Sequence, residues 1–314
     1  MARRPQGVGL LFFDLDDTLV QSGSYVSPRV LKALAAARDA GYILSIASGR
    51  PLCIVNKSIL ESGVMDYGVC ANGAMVTRLR DGSILLSQPL ACADAMDCHA
   101  MLGPFKPAWN AFIGTHAYFE WKGASYMLTG RNGAIARATR QQGSAKGGLR
   151  AMLRLVRKGV RYVWGMATHK SNRQVLSILP HLRAARDGVH KMGCTIPNAQ
   201  RCAQAYELLA ADGRFEVVRM GTTELEVTAR GVSKGSGARW LMEHVGVDPQ
   251  DAVAFGDGGN DLPLAEVCGR FVAMGNADEE VKEAASEVCG SVAQDGVALW
   301  IENRLAQDAE GSPS

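Results

Sequence analysis

Four aspartates, placed in two pairs at the ends of apolar runs, are the residues of this sequence best suited to chemistry. Asp14 and Asp16 follow the run LLFF, and Asp257 and Asp261 follow the run DAVAF. Alternate residues of an extended segment point the same way, so Asp14 and Asp16 converge on one small volume. Two carboxylates that close repel each other unless a proton or a cation lies between them. Mg²⁺ prefers oxygen ligands, so the pattern predicts a divalent-cation site, although a lone Asp-x-Asp is also common in turns and helix caps.

Two more apolar runs end at residues that can bind phosphate. YILSIA is followed by Ser48, Gly49 and Arg50, and YGVC is followed closely by Asn72 and Gly73. In open parallel sheets, ligands bind beyond the carboxyl ends of the strands, so these residues and the aspartates predict one active-site rim. Each also has a simpler interpretation: a cap or turn hydroxyl for Ser48, a turn for Asn72, and for Arg50 a core carboxylate as partner instead of the substrate.

Lys234 lies in the glycine-rich segment GVSKGSG, directly before a predicted helix. Taken alone it would be interpreted as a solvated surface lysine, since most lysines are exposed. Glycines let the backbone approach an anion closely, and a helix N-terminus attracts negative charge. The setting therefore predicts that Lys234 faces an anion.

The spacing of apolar residues predicts the elements that position these groups. A strand over Leu10–Phe13, a helix with Ser27 as N-cap, Pro28 at its start and Gly41 at its end, and a strand to Ala47 make a right-handed parallel βαβ unit. The alternation resumes after residue 234, with helices near 235–245, 260–268 and 277–286 and strands at 251–255 and 270–274. This alternation predicts an α/β fold with a doubly wound parallel sheet.

The segment between residues 84 and 220 carries none of these motifs. It mixes strand-like pieces (108–114, 117–121, 124–130, 215–220) with helical ones (147–159, 172–188, 198–213). We predict one domain from residues 1–83 and 221–314, and an inserted α+β domain over 84–220 with glycine-rich hinges near 81–83 and 221.

Charge is divided unevenly between these predicted domains. Residues 84–220 hold 19 Lys and Arg against 7 Asp and Glu, a net of +12, so the whole-chain net of +3 leaves −9 for the remainder. A basic insert suits an anionic substrate. A basic stripe over residues 150–158 offers nucleic-acid binding as a minor alternative, but no nucleic-acid motif accompanies it, and we predict no such partner. The members of the stripe are Arg150, Arg154, Arg157 and Lys158.

Four motifs, in this order, resemble those of the haloacid dehalogenase-like (HAD) hydrolases: DLDDT at 14–18, Ser48 in IASGR, Lys234 in GVSKGSG, and GDGGND at 256–261. ANGA at 71–74, the long insert and the late QDGVALWI resemble the Cof-type subfamily with its C2-type α/β cap. Two positions differ from many relatives, since Ser48 replaces Thr and Asp17 replaces Gly. The resemblance implies a Rossmann-like core, an inserted cap that sets substrate specificity, and a Mg²⁺-dependent phosphatase.

The resemblance also implies a role for each motif residue. Asp14 would attack phosphorus and form an aspartyl-phosphate, with Asp16 as general acid and base. The metal ligands would be Asp14, Asp257 and the backbone carbonyl of Asp16, with Asp261 orienting a metal-bound water or Lys234. Arg50 and Asn72 are further candidate substrate contacts. The phosphoryl group would be bound by Ser48, Lys234, Asn260 and the backbone N–H groups of Leu15 and Gly49.

We therefore expect a cytoplasmic phosphatase that hydrolyses small phosphorylated metabolites, with sugar phosphates as the leading class. No apolar run reaches the roughly 20 residues of a membrane span, and eight scattered cysteines without a Cys-x-x-Cys pair suggest reduced thiols. Phosphotransferase or phosphomutase activity through the same intermediate, and a non-catalytic phospholigand-binding regulator, remain alternatives. A DxD glycosyltransferase would explain neither Lys234 nor GDGGND. Nothing in the sequence indicates an oligomeric state.

Overall fold

A computed structural model of the chain describes residues 9–21, 25–123 and 171–310. The predicted pieces at 124–130 and 147–159, and with them the basic stripe at 150–158, lie outside the described residues. Two compact units make up the chain: residues 1–88 with 231–314, and residues 89–230. No described helix is long and apolar enough to cross a membrane, and the eight cysteines are free thiols.

The described strands and helices are numbered here in chain order. The strands are β1 (Leu10–Phe13), β2 (Ile43–Ala47), β3 (Tyr67–Cys70), β4 (Met75–Arg78), β5 (Ser83–Ser87), β6 (Ala108–Ile113), β7 (His116–Glu120), β8 (Asn172–Val175), β9 (Lys191–Thr195), β10 (Phe215–Met220), β11 (Glu224–Ala229), β12 (Ala252–Gly256), β13 (Arg270–Ala273) and β14 (Glu287–Val288). The helices are α1 (Pro28–Asp39), α2 (Lys57–Ser62), α3 (Cys92–Leu102), α4 (Leu179–Ala184), α5 (Ala199–Asp212), α6 (Lys234–Val245), α7 (Leu262–Ala265), α8 (Glu279–Ala284) and α9 (Gly296–Glu310).

The first unit is built on an eight-stranded sheet in the order β14-β13-β12-β1-β2-β3-β4-β5. Strands β14 to β3 in that order are parallel, and β4 and β5 are antiparallel additions at one edge. All residues of β1 and β2 are buried, as expected for central strands covered on both faces. The predicted α/β fold with a parallel sheet is confirmed.

Helix α1 begins and ends as the sequence predicts. The Ser27 hydroxyl accepts a hydrogen bond of 3.2 Å from the backbone N–H of Arg29, and Pro28 is the first helical residue. The chain leaves the helix through Gly41, whose φ of 98° lies in the left-handed region that glycine adopts readily. It then enters β2, which pairs in parallel with β1 from Leu10 opposite Ile43. This completes the predicted βαβ unit.

The second unit has a six-stranded sheet in the order β10-β11-β9-β6-β7-β8, antiparallel except for the β7–β8 pair. Apolar residues of α3, α4 and α5 share one buried cluster with inward-facing residues of the sheet, among them Trp109, Met192 and Val227. The unit therefore has a hydrophobic core of its own, which makes it a domain in the physical sense.

Local structure differs from the sequence prediction at three places in and around this unit. The predicted boundary at 83/84 would cut through β5, which pairs with β4 of the first unit. The predicted boundary at 220/221 would assign β10 and β11 to different domains, although these two strands pair with each other. The helical prediction for 172–188 is wrong over Asn172–Val175, which is the strand β8 paired with β7. Pro180 explains the late helix start, because proline is tolerated in the first turn of a helix but not in its interior.

Candidate active site

The sheet of the first unit gathers the motif residues at one edge. Strands β12, β1, β2 and β3 are adjacent and parallel, so their carboxyl ends lie side by side. Asp14 follows β1, Ser48 follows β2, Asn72 follows β3 and Asp257 follows β12. The backbone N–H of Asp14 donates to the carbonyl of Phe255 at 3.0 Å, which extends the β1–β12 ladder up to the carboxylates.

Lys234 joins the first and last motifs through two buried ion pairs. Its ammonium lies 2.6 Å from Oδ1 of Asp14 and 2.7 Å from Oδ1 of Asp261. The lysine side chain is fully buried, and Asp14 and Asp261 expose at most 5% of their surface. A lysine this deeply buried keeps its charge only when paired, and here two carboxylates share it.

The sequence around Lys234 holds it in place from the backbone. Ser233 caps α6, and its side chain and that of Ser236 make reciprocal hydrogen bonds to each other's backbone N–H groups. Lys234 is therefore the first residue of a well-capped helix. Gly73 packs against this turn, because a Cβ on Gly73 would lie 2.0 Å from the carbonyl oxygen of Ser233.

Asp261 is folded back onto its own loop. Its Oδ2 accepts hydrogen bonds from the backbone N–H groups of Asp257 at 3.0 Å and Gly258 at 3.1 Å. Gly256 makes room for this arrangement, since a Cβ there would come within 2.4 Å of the Asp261 carboxyl carbon. Because Lys234 donates to its other oxygen, the Asp261 carboxylate links Lys234 to the loop.

Three carboxylates form the candidate metal centre. One oxygen each of Asp14, Asp257 and Asp261 lie within 4.8 Å of one another. Burial raises the pKa of Asp14 well above its ordinary value, against the opposing charge of Lys234. Burial and the charges of Asp261 and Asp17 raise the pKa of Asp257 to about 7. Excess negative charge is therefore concentrated where hard oxygen ligands are available, which suits a divalent cation.

The same carboxylates also raise the pKa of Lys234, and there they stabilise the charged form. Burial alone would lower its pKa, but the adjacent carboxylates of Asp14 and Asp261 outweigh burial and hold that pKa above its ordinary value. The ammonium therefore stays charged at any physiological pH, and it provides a fixed positive charge beside Asp14.

Asp16 has a different partner from Asp14. Arg50 donates from Nε to Oδ2 of Asp16 at 2.7 Å and from Nη2 to Oδ1 at 2.5 Å, a two-pronged ion pair. About half of the Asp16 side chain is exposed. Arg50 thus has a carboxylate partner, although a half-exposed one, and its contact with substrate stays a prediction.

The amide and hydroxyl groups of the rim are also brought together. Ser48 is buried, and its carbonyl accepts from the backbone N–H of Asn72 at 3.1 Å. Asn72 has a φ of 53°, and its side-chain oxygen accepts from Asn260 at 3.5 Å. The turn predicted for Asn72 is thus present, and its side chain still meets the aspartate loop. Direct phosphate contacts of Ser48, Asn260 and the N–H groups of Leu15 and Gly49 stay predictions.

Sequence reasoning gave no role to two neighbours of the carboxylates, Asp17 and Thr18. The Thr18 hydroxyl donates to Oδ1 of Asp257 at 3.4 Å. Asp17 has a φ of 58°, and burial and the charge of Asp16 raise its pKa. Glycine adopts the left-handed conformation most readily, and many members of the family that the sequence resembles have Gly at this position. The resemblance could therefore have indicated the left-handed backbone of Asp17.

Comparisons with known proteins agree with this geometry. A family model described as haloacid dehalogenase-like hydrolase matches residues 11–301. The 5-amino-6-(5-phospho-D-ribitylamino)uracil phosphatase YwtE of Bacillus subtilis is 27% identical, over 93% of this chain and 96% of its own length. The pyridoxal phosphate phosphatase YbhA of Escherichia coli is 25% identical, over 94% of this chain and 98% of its own.

A solved structure of similar fold extends the comparison to three dimensions. A haloacid dehalogenase-like hydrolase of Bacillus subtilis superposes with a TM-score of 0.77 and 21% identity, covering 94% of this chain and 99% of its own. At that identity the similarity shows a common fold, which covers almost the whole of both chains.

Proposed function

The chain belongs to the haloacid dehalogenase-like hydrolases of the Cof type and is a phosphatase of that family. From that premise we propose that it is a Mg²⁺-dependent enzyme that hydrolyses small phosphorylated metabolites through an aspartyl-phosphate on Asp14. The observation that carries the proposal is the buried Asp14, held by the Lys234 ammonium at the carboxyl end of β1. A phosphate monoester is an anion, so a carboxylate approaches phosphorus only where positive charge is fixed nearby.

Asp14 is the proposed nucleophile. Lys234 holds its Oδ1, and among the described residues no hydrogen bond engages Oδ2. Asp16 first takes up a proton from solvent. Attack forms a bond from an Asp14 oxygen to phosphorus, while the bond to the leaving alkoxide breaks and Asp16 gives that oxygen its proton. In the second step a water oxygen bonds to phosphorus and the Asp14–phosphorus bond breaks. Asp16 takes the proton of that water, which restores both side chains.

The proposed metal ligands are Asp14, Asp257 and the backbone carbonyl of Asp16. The raised pKa values of Asp14 and Asp257 support this choice, because they reflect buried carboxylates with too little positive charge around them. Both oxygens of Asp261 accept hydrogen bonds from Lys234 and backbone N–H groups, which supports a role in orienting Lys234 instead of binding the metal directly. When bound, Mg²⁺ supplies charge neutralisation for the phosphoryl group.

The remaining rim residues are proposed to bind the phosphoryl group. The Asn260 amide lies on the loop that carries Asp257 and Asp261. The buried Ser48 follows β2 and is linked to the Asn72 turn by a backbone hydrogen bond. Backbone N–H groups of Leu15 and Gly49 complete the proposed donors. Donors fixed by their own loops need little reorganisation during the reaction.

The choice of substrate is proposed to depend on the second unit, residues 89–230. Its insertion between two halves of the first unit, and the +12 net charge of residues 84–220, support a role in admitting small anions. Sugar phosphates are the leading class. The Bacillus relative, whose named substrate carries its phosphate on a ribityl group, supports that class.

The proposal is tested by phosphate release from phosphorylated sugars, nucleotides, flavin mononucleotide and pyridoxal phosphate, with Mg²⁺ or with EDTA. We expect Mg²⁺-dependent release from at least one sugar phosphate by the wild type and none by Asp14→Asn. The exposed Asp39, at the end of α1, provides the matched control, since Asp39→Asn should keep wild-type rates. Transfer to an added sugar without phosphate release would favour a phosphotransferase, and binding without turnover would favour a regulator.

A further inference from the structure

Asp14 and Asp16 belong to one short motif, yet different cations hold them. Asp14 is buried and paired with Lys234, whereas Asp16 is half exposed and paired with Arg50. We propose that Arg50 is a positioning residue that fixes the carboxylate of Asp16 for proton transfer. The inference rests on the proposed function, since it assigns a role within that reaction.

Arg50 is itself fixed, at its guanidinium and at its backbone. Its Nη1 donates to the carbonyl of Ile54 at 3.2 Å, and its backbone N–H donates to the Ser48 hydroxyl at 3.2 Å. Its own carbonyl accepts from the backbone N–H of Ala71 at 3.0 Å. Only about a quarter of the Arg50 side chain is exposed. The guanidinium that pairs with Asp16 is therefore bonded to the loop after β2, and the Arg50 backbone is bonded to the loop after β3.

The pairing with Arg50 leaves part of the Asp16 carboxylate available for a proton. A carboxylate has about four lone-pair sites, and the two bonds from Arg50 use one on each oxygen. The Asp16 side chain is 48% exposed, so a proton can reach it from solvent. A half-exposed aspartate would otherwise sample several rotamers, and misplacing a general acid costs rate even when the group is present.

The pairing with Asp16 argues against Arg50 as a simple phosphate ligand. Its Nε and Nη2 donate side by side to Asp16, and its Nη1 donates one N–H to Ile54. A guanidinium has five N–H donors, so one on Nη1 and one on Nη2 remain. Binding phosphate through the Nε–Nη2 pair would release Asp16 and leave that carboxylate without its counter-charge. For this pair of donors the two roles compete, and kinetics can separate them.

The first experiment compares kcat/KM for an aryl phosphate and an alkyl phosphate, because a weakly basic aryl oxide leaves with little help from a general acid. For Arg50→Ala we expect kcat/KM for the alkyl phosphate to fall at least about tenfold more than that for the aryl phosphate, which is part of the roughly 10²–10⁴-fold that general acids contribute. Arg50→Lys keeps the charge but not the fork, so it should restore little of the alkyl rate. Circular dichroism verifies that both variants fold.

A double-mutant cycle with Asp16→Asn decides whether Arg50 acts through Asp16. If it does, Arg50→Ala adds no further loss in the Asp16→Asn background on the aryl substrate. An equal loss on both substrates, full rescue by Arg50→Lys, or an additive loss in the cycle would overturn the positioning role while leaving the phosphatase proposal intact. A wild-type protein without metal-dependent turnover of any substrate would overturn both proposals.

Discussion

Replacing Lys234 by Met tests the electrostatics of the site directly. The substitution keeps a chain of similar length and shape, so packing changes little. It removes the only charge within hydrogen-bonding distance of both Asp14 and Asp261 among the described residues. Both carboxylates then remain buried without a cation.

The size of the effect follows from the two contacts. The bonds of 2.6 Å and 2.7 Å are charge-assisted, and removing one partner of a buried ion pair costs about 3–5 kcal/mol. We expect the free energy of unfolding of the first unit to fall by about that amount at pH 8 in EDTA. Acid should reduce the deficit, because the pKa of Asp14 is already raised and its protonation removes one of the unpaired charges. Mg²⁺ should reduce the deficit by supplying charge.

Hydrogen exchange of peptides covering β1 and β12 reports the stability of this unit separately from the other. Lys191 provides the control, since it is a buried lysine of the second unit that pairs with Glu226. Lys191→Met should destabilise peptides of β9 and β11 without any response to Mg²⁺. If Lys234→Met left the β1 and β12 amides as protected as in the wild type in EDTA, the charge argument would be refuted.

Three further predictions concern the same unit. Because the pKa of Asp257 is raised to about 7, its contribution to stability is complete below about pH 4, the unfolded value, and is lost as pH rises to about 7, so the Tm of the metal-free protein should fall over that range. Mg²⁺ should raise the Tm more at pH 8 than at pH 5, and equal shifts at both pH values would contradict this. Asp17→Gly relieves a φ of 58°, so urea unfolding should show a gain of about 1 kcal/mol, and a loss would show that the Asp17 side chain is needed. Gly73→Ala would place Cβ 2.0 Å from the Ser233 carbonyl and should cost more than about 2 kcal/mol. In contrast, Gly82→Ala, with a φ of 70° and nothing within 4 Å of the new Cβ, should show only the smaller cost of its backbone conformation in the same urea series.

The parallel core could be predicted because each of its signals is local. The four apolar residues of β1 can be buried on both faces, and the Ser27–Pro28 cap and Gly41 bound α1 without reference to anything distant. Parallel strands then bring their carboxyl ends to one edge, so a short list of polar residues after strands is enough to identify the candidate site. The predicted helix at 260–268 was too long, since α7 covers Leu262–Ala265.

The contacts between side chains could not be predicted because they depend on sequence positions far apart. Asp16 meets Arg50 across 34 residues, and Thr18 meets Asp257 across 239. In the second unit, the apolar pattern of 172–188 fits a helix, but pairing with β7 decides the conformation of β8. Tertiary context thus outweighed local pattern where strands join through non-local ladders.

The charges of the site also explain why the two aspartates of one motif need separate partners. Asp14, Asp257 and Asp261 bring three negative charges together, and in the described part of the chain one ammonium pairs with them, that of Lys234. In the metal-free protein the deficit appears as raised pKa values of Asp14 and Asp257. A divalent cation would balance the remaining two charges, and its binding near neutral pH should release the proton of Asp257, whose pKa is raised to about 7. Asp16 lies outside this balance because Arg50 already neutralises it. Metal loss should therefore disturb Asp14 while leaving the Asp16–Arg50 pair in place.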